Sequence, residues 1–310
     1  MKPTANRRRR SVEPAVSKPK APPKLRMARP ASAEKVARQF NRGQHPASRK
    51  RAAEPEQSLA PFRVGSVQYL NAVPLTRGIE GEVIFATPAR LAEMLRRDEL
   101  DAALVSTAEV LLTDRYDILD GIAIASLGEV YSVLLAHRCP LAEIKEVFCH
   151  TASLSGLNLL KVLLAERGLK PEFKPMPDPA KVAEHDAALI IGDPAIDFQR
   201  ASHKHEIFDL GTAWYELTNL PFVFAVWALR RGIENKGLCR ELREAKDFGM
   251  ETLDYVIETR TEYDEEFRRD YLGWLVHYHL AEDEKRGIAK FAGLLQKHGL
   301  GPVYEPKYVG

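Results

Sequence analysis

Small polar residues recur in this 310-residue chain just beyond the C-terminal ends of short apolar runs, at or near helix starts: Asn71, Ser106 and Thr107, Thr151 to Ser155, and Asp193. In open α/β sheets ligands bind outside those strand ends, where a helix N-terminus offers unpaired N–H groups and a partial positive charge that suit an anion. Hydroxyls and amides add neutral hydrogen bonds there. The pattern points to a small carboxylate-bearing molecule held in a cleft. Taken singly, each of these residues is also an ordinary helix cap; only their joint placement favours a site.

Conventional catalytic carriers are missing. The chain has no G-x-G-x-x-G, no G-x-x-x-x-G-K-[ST] and no G-x-S-x-G, so dinucleotide, P-loop and serine-hydrolase chemistry have no motif to rest on. His203-x-His205 and His277-x-His279 each place two imidazoles close together, but no third ligand stands at a usual spacing, so no metal is expected. Cys139, Cys149 and Cys239 lack C-x-x-C spacing and read as buried thiols.

The elements that must position these groups alternate β-rich runs with helical patterns from Phe62 onward, as α/β units do. Strands are expected at Val64 to Val67, Val83 to Phe85, Ala102 to Val105, Ile122 to Ala125, Val130 to His137, and from Val147 and Ala187 to Ile191. Thr87 and Pro88 open a helix with Leu91, Met94 and Leu95 on one face, and Gly192-Asp193-Pro194 opens another with Asp193 as its cap. The run Val223 to Leu229 reads as a strand buried on both faces, followed by a long helix, about Asn235 to Glu258. Tyr271 to Leu280 is ambiguous. A last helix carries Ile288, Phe291 and Leu295. The runs Val130 to His137 and Val223 to Leu229 are expected to carry the chain between two lobes: residues 61–135 with 226–310, and residues 136–225.

Residues 1–60 hold 16 basic and 4 acidic side chains, eight prolines and one aromatic, Phe40. That is too little apolar surface to offset the entropy of ordering, so a disordered basic extension is expected. Its Arg-rich, acid-poor character is also that of an organelle transit peptide. The body carries the opposite charge, and nucleic acid is not expected as a partner. No run approaches the ~20 apolar residues that cross a bilayer, so a membrane is not expected either, and a cytoplasmic setting is.

Four segments carry a resemblance. Tyr69-Leu70-Asn71-Ala72-Val73-Pro74-Leu75 looks like a Y-L-N-x-x-P-L motif, and Ser132-Val133-Leu134-Leu135, Ile191-Gly192-Asp193 and Leu220-Pro221-Phe222-Val223-Phe224-Ala225-Val226-Trp227 follow it in order. They resemble the chorismate dehydratases of the futalosine route to menaquinone, which share the two-lobed, clamshell fold of type 2 periplasmic binding proteins. The resemblance covers about residues 62 to 300. It implies loss of water from chorismate to give 3-[(1-carboxyvinyl)oxy]benzoate, with no cofactor. It also implies Asn71 and Ser132 at the reacting centre, with Ser106, Thr107, Ser153, Ser155, Gly192 and Asp193 around the substrate.

Two positions depart from the family pattern: Gly156, where members commonly have Ser, and Tyr131, where Arg is frequent. A solute-binding protein or sensor of the same fold would use the same strand-end contacts, and the sister 1,4-dihydroxy-6-naphthoate synthase is a third reading. The basic extension has no packed role in any of them. Deleting residues 1–58 is therefore expected to leave kcat/KM on chorismate within about threefold. Steady-state kinetics on the truncated protein check this, and a hundredfold loss in folded protein would contradict it.

Overall fold

A computed structural model describes residues 59–150, 154–233 and 235–310. The basic stretch before Leu59 lies outside the described residues, as do Thr151 and Ser153. Leu59 itself is buried, and its N–H donates to Glu82 Oε2 at 2.8 Å.

The fold is α/β, as expected, built on two mixed sheets. The first holds β1 (Val64–Ser66), β2 (Val83–Phe85), β3 (Ala102–Ser106), β4 (Tyr116–Ser126), β10 (Phe222–Arg230) and β11 (Tyr308–Val309), in the order β11-β4-β10-β3-β1-β2. The second holds β5 (Val133–His137), β6 (Glu146–His150), β7 (Glu172–Met176), β8 (Ala187–Ile191) and β9 (Glu206–Asp209), in the order β7-β6-β8-β5-β9.

Each sheet has parallel pairs at its heart, β1 with β2 and β3 in one, β6 with β7 and β8 in the other. The strands that arrive from the opposite sheet, β5 and β10, run antiparallel to both of their neighbours. Such a strand enters directly and needs no crossover helix, which is why the apolar run Val223 to Leu229 is buried without being parallel.

The chain leaves the first sheet after Ser126 and returns before Phe222. Since β5 lies wholly in the second sheet and β10 wholly in the first, the exchanges fall a few residues upstream of the expected boundaries at 135/136 and 225/226. The Asp209 carboxylate fastens the first exchange to the helix that precedes the second. It accepts N–H bonds from Val130 at 3.2 Å, Tyr131 at 2.8 Å and Thr212 at 2.9 Å. Tyr131 has φ 65°, and a Cβ built on Gly211 would lie 2.3 Å from Gly128 O, so the backbones here meet too closely for any other side chain at position 211.

The helices follow their caps and apolar faces. Thr87 Oγ1 accepts from Arg90 N at 3.4 Å and starts α1 (Pro88–Arg96), which buries Leu91, Ala92 and Leu95. A short α2 (Thr107–Leu111) follows β3 directly. α3 (Leu154–Glu166) is apolar round most of its circumference because it packs on β5 and β8 of one sheet and β10 of the other. α4 (Asp193–Arg200) and α5 (Leu210–Thr218) complete the second half. The expected long helix is broken at Thr252 into α6 (Lys236–Glu251) and α7 (Leu253–Thr259). α8 (Glu265–Asp270) and a π-turn (Tyr271–Leu275) lead to an extended stretch where His277 bridges to Ala125 of β4, and α9 (Glu282–Lys297) follows. Strands β7, β9 and β11 are short or contain proline, and no alternation in the sequence marks them.

The turn that carries Asn71 is a 3-10 helix, Leu70–Leu75, seated on α6. A Cβ added to Gly249 of α6 would lie 1.8 Å from Pro74 O. Gly249→Ala is therefore expected to cost about 3 kcal/mol of stability through overpacking, read by urea unfolding. An unchanged midpoint would show that the turn yields freely.

Candidate active site

A cleft of about 650 Å³, counting its open mouth, lies between the sheets at the C-terminal ends of β1 and β3. Its floor is apolar, with Val67, Leu104, Ile124, Val133, Ile191 and Phe224 among the lining residues. The polar groups are few: Tyr69, Asn71, Ser106, Ser132, Ser155 and the backbone at Gly156 and Gly192. No Lys, Arg, His, Asp or Glu side chain is among the lining residues described. An apolar cavity of this size with a handful of convergent hydrogen-bonding groups is the ordinary form of a small-molecule site.

Local folding explains each placement. β3 ends at Ser106, whose hydroxyl makes no cap bond to α2; the cap comes from α3. Ser155, in the first turn of α3, accepts the Ala108 N–H at 3.0 Å and lies 2.6 Å from Ser106 Oγ. One hydroxyl thus ties the start of α2 to the start of α3 across the cleft. Thr107 is fully buried behind this contact and is not among the lining residues; its Oγ1 has no hydrogen-bond partner.

Asn71 Nδ2 donates to the Tyr271 hydroxyl at 3.2 Å, while its Oδ1 is buried without a partner. Ser132, 1% exposed, gives its backbone carbonyl to Gly192 N at 2.8 Å, and its Oγ meets no partner in hydrogen-bond geometry, although it is near enough to the Tyr271 hydroxyl to pull that group's pKa down against burial. Gly192 has φ 69°, and a Cβ there would lie 2.9 Å from the Tyr69 ring, so glycine is required by both conformation and contact.

The expectation for Asp193 needs correction. Gly192, not Asp193, is the N-cap of α4, and no side chain caps that helix. The Asp193 carboxylate instead reaches across to Leu70, accepting its N–H at 3.2 Å, and the Asp193 carbonyl accepts from the Tyr263 hydroxyl at 3.3 Å. It is a strut between the halves, not among the residues that line the cleft. Burial pushes its pKa up to about 6 against the pull of the Leu70 N–H. Ser153 lies outside the described residues.

Tyr69 and Tyr271 escaped the sequence reading as site groups. Tyr69 lies in the Y-L-N segment, so its neighbourhood was marked. Tyr271 meets Asn71 only through tertiary folding, 200 positions away.

The Menaquinone biosynthesis family matches residues 62–297. The chain belongs to that family. A chorismate dehydratase of Thermus thermophilus is 34% identical over 277 residues, 80% of this chain and all of that protein. Among solved structures, a protein of Archaeoglobus fulgidus covers 77% of this chain and 98% of its own at 19% identity, with a TM-score of 0.64. The periplasmic aliphatic sulphonate binding protein of Escherichia coli covers 83% of this chain and 94% of its own at 15% identity, with a TM-score of 0.52. The likeness to the last two is one of fold, and it places this member of the menaquinone biosynthesis family among periplasmic-binding-protein-like clamshells.

The strut sets a pH dependence. Asp193 binds its proton more tightly folded, near pH 6, than at its ordinary 3.8. The native state therefore holds the extra proton between those values, and stability falls as pH rises from about 4 to 6. Asp193→Asn removes the titration and keeps an acceptor for Leu70 N–H. The melting temperature of the parent is expected to drop relative to the Asn variant across that window. Parallel curves would refute the shift.

Proposed function

We propose that this chain is a chorismate dehydratase, acting in the futalosine route to menaquinone and in the cytoplasm. Among the described residues no helix is long and apolar enough to cross a membrane. The observation that carries the reading is the cleft lining: neutral donors and acceptors over an apolar floor, with two buried polar atoms, Asn71 Oδ1 and Ser132 Oγ, waiting for partners. A buried polar atom without a partner costs about 1–3 kcal/mol, which a polar ligand recovers on binding.

Chorismate needs little more than such a lining. Its C3 hydrogen is γ to the ring carboxylate through a double bond. Removing that proton leaves the C–H electron pair delocalised through the ring diene into the carboxylate. The pair then returns into the ring, the C4–O bond breaks, and the hydroxide leaves with a proton as water while the ring becomes aromatic. Charge builds on the ring carboxylate and then on the departing oxygen. Preorganised N–H and O–H groups aimed at those positions lower the barrier in a cleft that excludes water.

In this reading the ring carboxylate sits at the start of α3, where Gly156 lines the cleft, while the Gly192 N–H at the start of α4 is already given to the Ser132 carbonyl. The N–H at Gly156 remains although the serine hydroxyl common in the family does not. Ser106, Ser153 and Ser155 stay assigned to the substrate side, Ser155 also holding the two helix starts together, while Thr107 stands off the lining. Ser132 donates to the departing oxygen, and Asn71 orients the ring through Oδ1 and its second Nδ2 hydrogen. Tyr69 is the one titratable side chain in the described lining and is acidified by nothing nearby; burial, then the Asp193 charge, raises its pKa. The described lining does not identify the base, and the substrate's own enolpyruvyl carboxylate is one candidate. The two halves close over the ligand about the exchanges at 127–132 and 219–221.

Asn71→Ala and Ser132→Ala should each lower kcat on chorismate by roughly a hundredfold, about 2.7 kcal/mol, with a smaller effect on binding. Kinetics and thermal unfolding are measured together. Variants that melt differently yet turn over chorismate at the parent rate would remove both residues from the reacting centre.

A further inference from the structure

His277-x-His279 lacked a third ligand in the sequence, and folding supplies one. The stretch after the π-turn is extended and bridges to Ala125 of β4, so residues two apart project to the same side. The two imidazoles stack with centroids 4.4 Å apart and planes at 28°. Glu284, in the first turn of α9, faces both of them and is 3% exposed. Its Oε2 accepts the Ala281 N–H at 2.9 Å and fixes the carboxylate, which leaves Oε1 toward the histidines. Oε1 lies 3.4 Å from His277 Nε2 and 3.3 Å from His279 Nε2, and one ligand atom from each of the three residues falls within 4.8 Å of the others.

These distances distinguish two arrangements. A charge-assisted imidazolium–carboxylate bond closes to about 2.7–2.9 Å, and neither contact does so. His277 Nε2 is buried, and its contact with Glu284 Oε1 is long and does not reach hydrogen-bond geometry. A tetrahedral ion with ligand bonds of about 2.0–2.1 Å separates its ligands by about 3.3–3.4 Å, the spacing seen from Oε1 to both nitrogens. We propose that His277, His279 and Glu284 form a site for a divalent borderline cation, Zn²⁺ by ligand type, with one position left for water.

The His279 side chain is 29% exposed, which gives an ion a path from solvent. The site is outside the cleft lining, although Ala125, the strand partner of His277, is next to the lining residue Ile124. Its role follows from what it joins. The ion staples the irregular stretch 276–280 to the start of α9, and that stretch holds the edge of β4 behind the cleft through Ala125 and His277. It takes no part in the elimination.

The test uses untagged full-length protein stripped with chelator. Equilibrium dialysis against Zn²⁺ should show one tight ion per chain, and thermal unfolding should rise steadily with free Zn²⁺. Co²⁺ should give the intense visible spectrum of a four-coordinate site. His279→Ala and Glu284→Gln should each weaken binding roughly tenfold or more, a lost ligand costing no less than a lost supporting contact; Gln retains an oxygen for the Ala281 cap. Each variant's circular dichroism confirms folding. His205→Ala, at the other histidine pair, should leave affinity unchanged. No stoichiometric Zn²⁺ in the parent, or binding lost in His205→Ala but kept in both site variants, would overturn the proposal.

Discussion

Polar atoms buried without partners are costly, and this fold places Asn71 Oδ1 and Ser132 Oγ unpaired at the meeting line of two sheets. Much of the surrounding structure holds them there. The Leu70–Leu75 turn is clamped by the close approach of Gly249 to Pro74, and Ser132 is fixed by the bond from its carbonyl to Gly192 N. Gly192 in turn lies so near the Tyr69 ring that no side chain fits at that position. Rigid backbone around unsatisfied side-chain atoms is what a preorganised site requires, because the reorganisation cost is met in folding and not during reaction.

A second consequence concerns charge. The described lining holds no ionised side chain, so a dicarboxylate there would be held by dipoles and hydrogen bonds, and such groups do not bind ground-state anions so tightly that the transition state gains nothing further. The fixed charges stand one layer back. Asp193 ties α4 to Leu70, and Asp209 ties α5 to the segment through Tyr131. Burial pushes the pKa of Asp209 up to about 6 against three backbone N–H bonds. Tyr131 packs its ring 5.1 Å from Phe267, so this position serves the seam between the halves.

Local signals made much of this legible. Thr87-Pro88 marked a helix start, and the strands through Ala102 and Ala187 fell where their apolar runs placed them. Asn71, Ser106, Ser155 and Gly192 all proved to line one cleft, because strand ends in an α/β sheet converge. Long-range geometry was not legible. Nothing in the run Val223 to Leu229 shows strand direction, since a buried strand is apolar either way. Asp193 read as a cap because Asp before Pro fits that role locally, yet its partner, Leu70, is 123 positions away. The break at Thr252 carries no Gly or Pro, and the Glu284 carboxylate meets His277 and His279 because the start of α9 turns back on the extended stretch before it.

The central claim is that a neutral, preorganised cleft suffices to turn chorismate into an aromatic ether. Purified full-length protein incubated with chorismate, followed by ultraviolet absorbance and mass spectrometry, tests it most directly. The account predicts repeated turnover to a single aromatic product lighter than chorismate by one water. Chorismate that raises the melting temperature and is recovered unchanged would mean that the cleft only binds, and the account would be wrong.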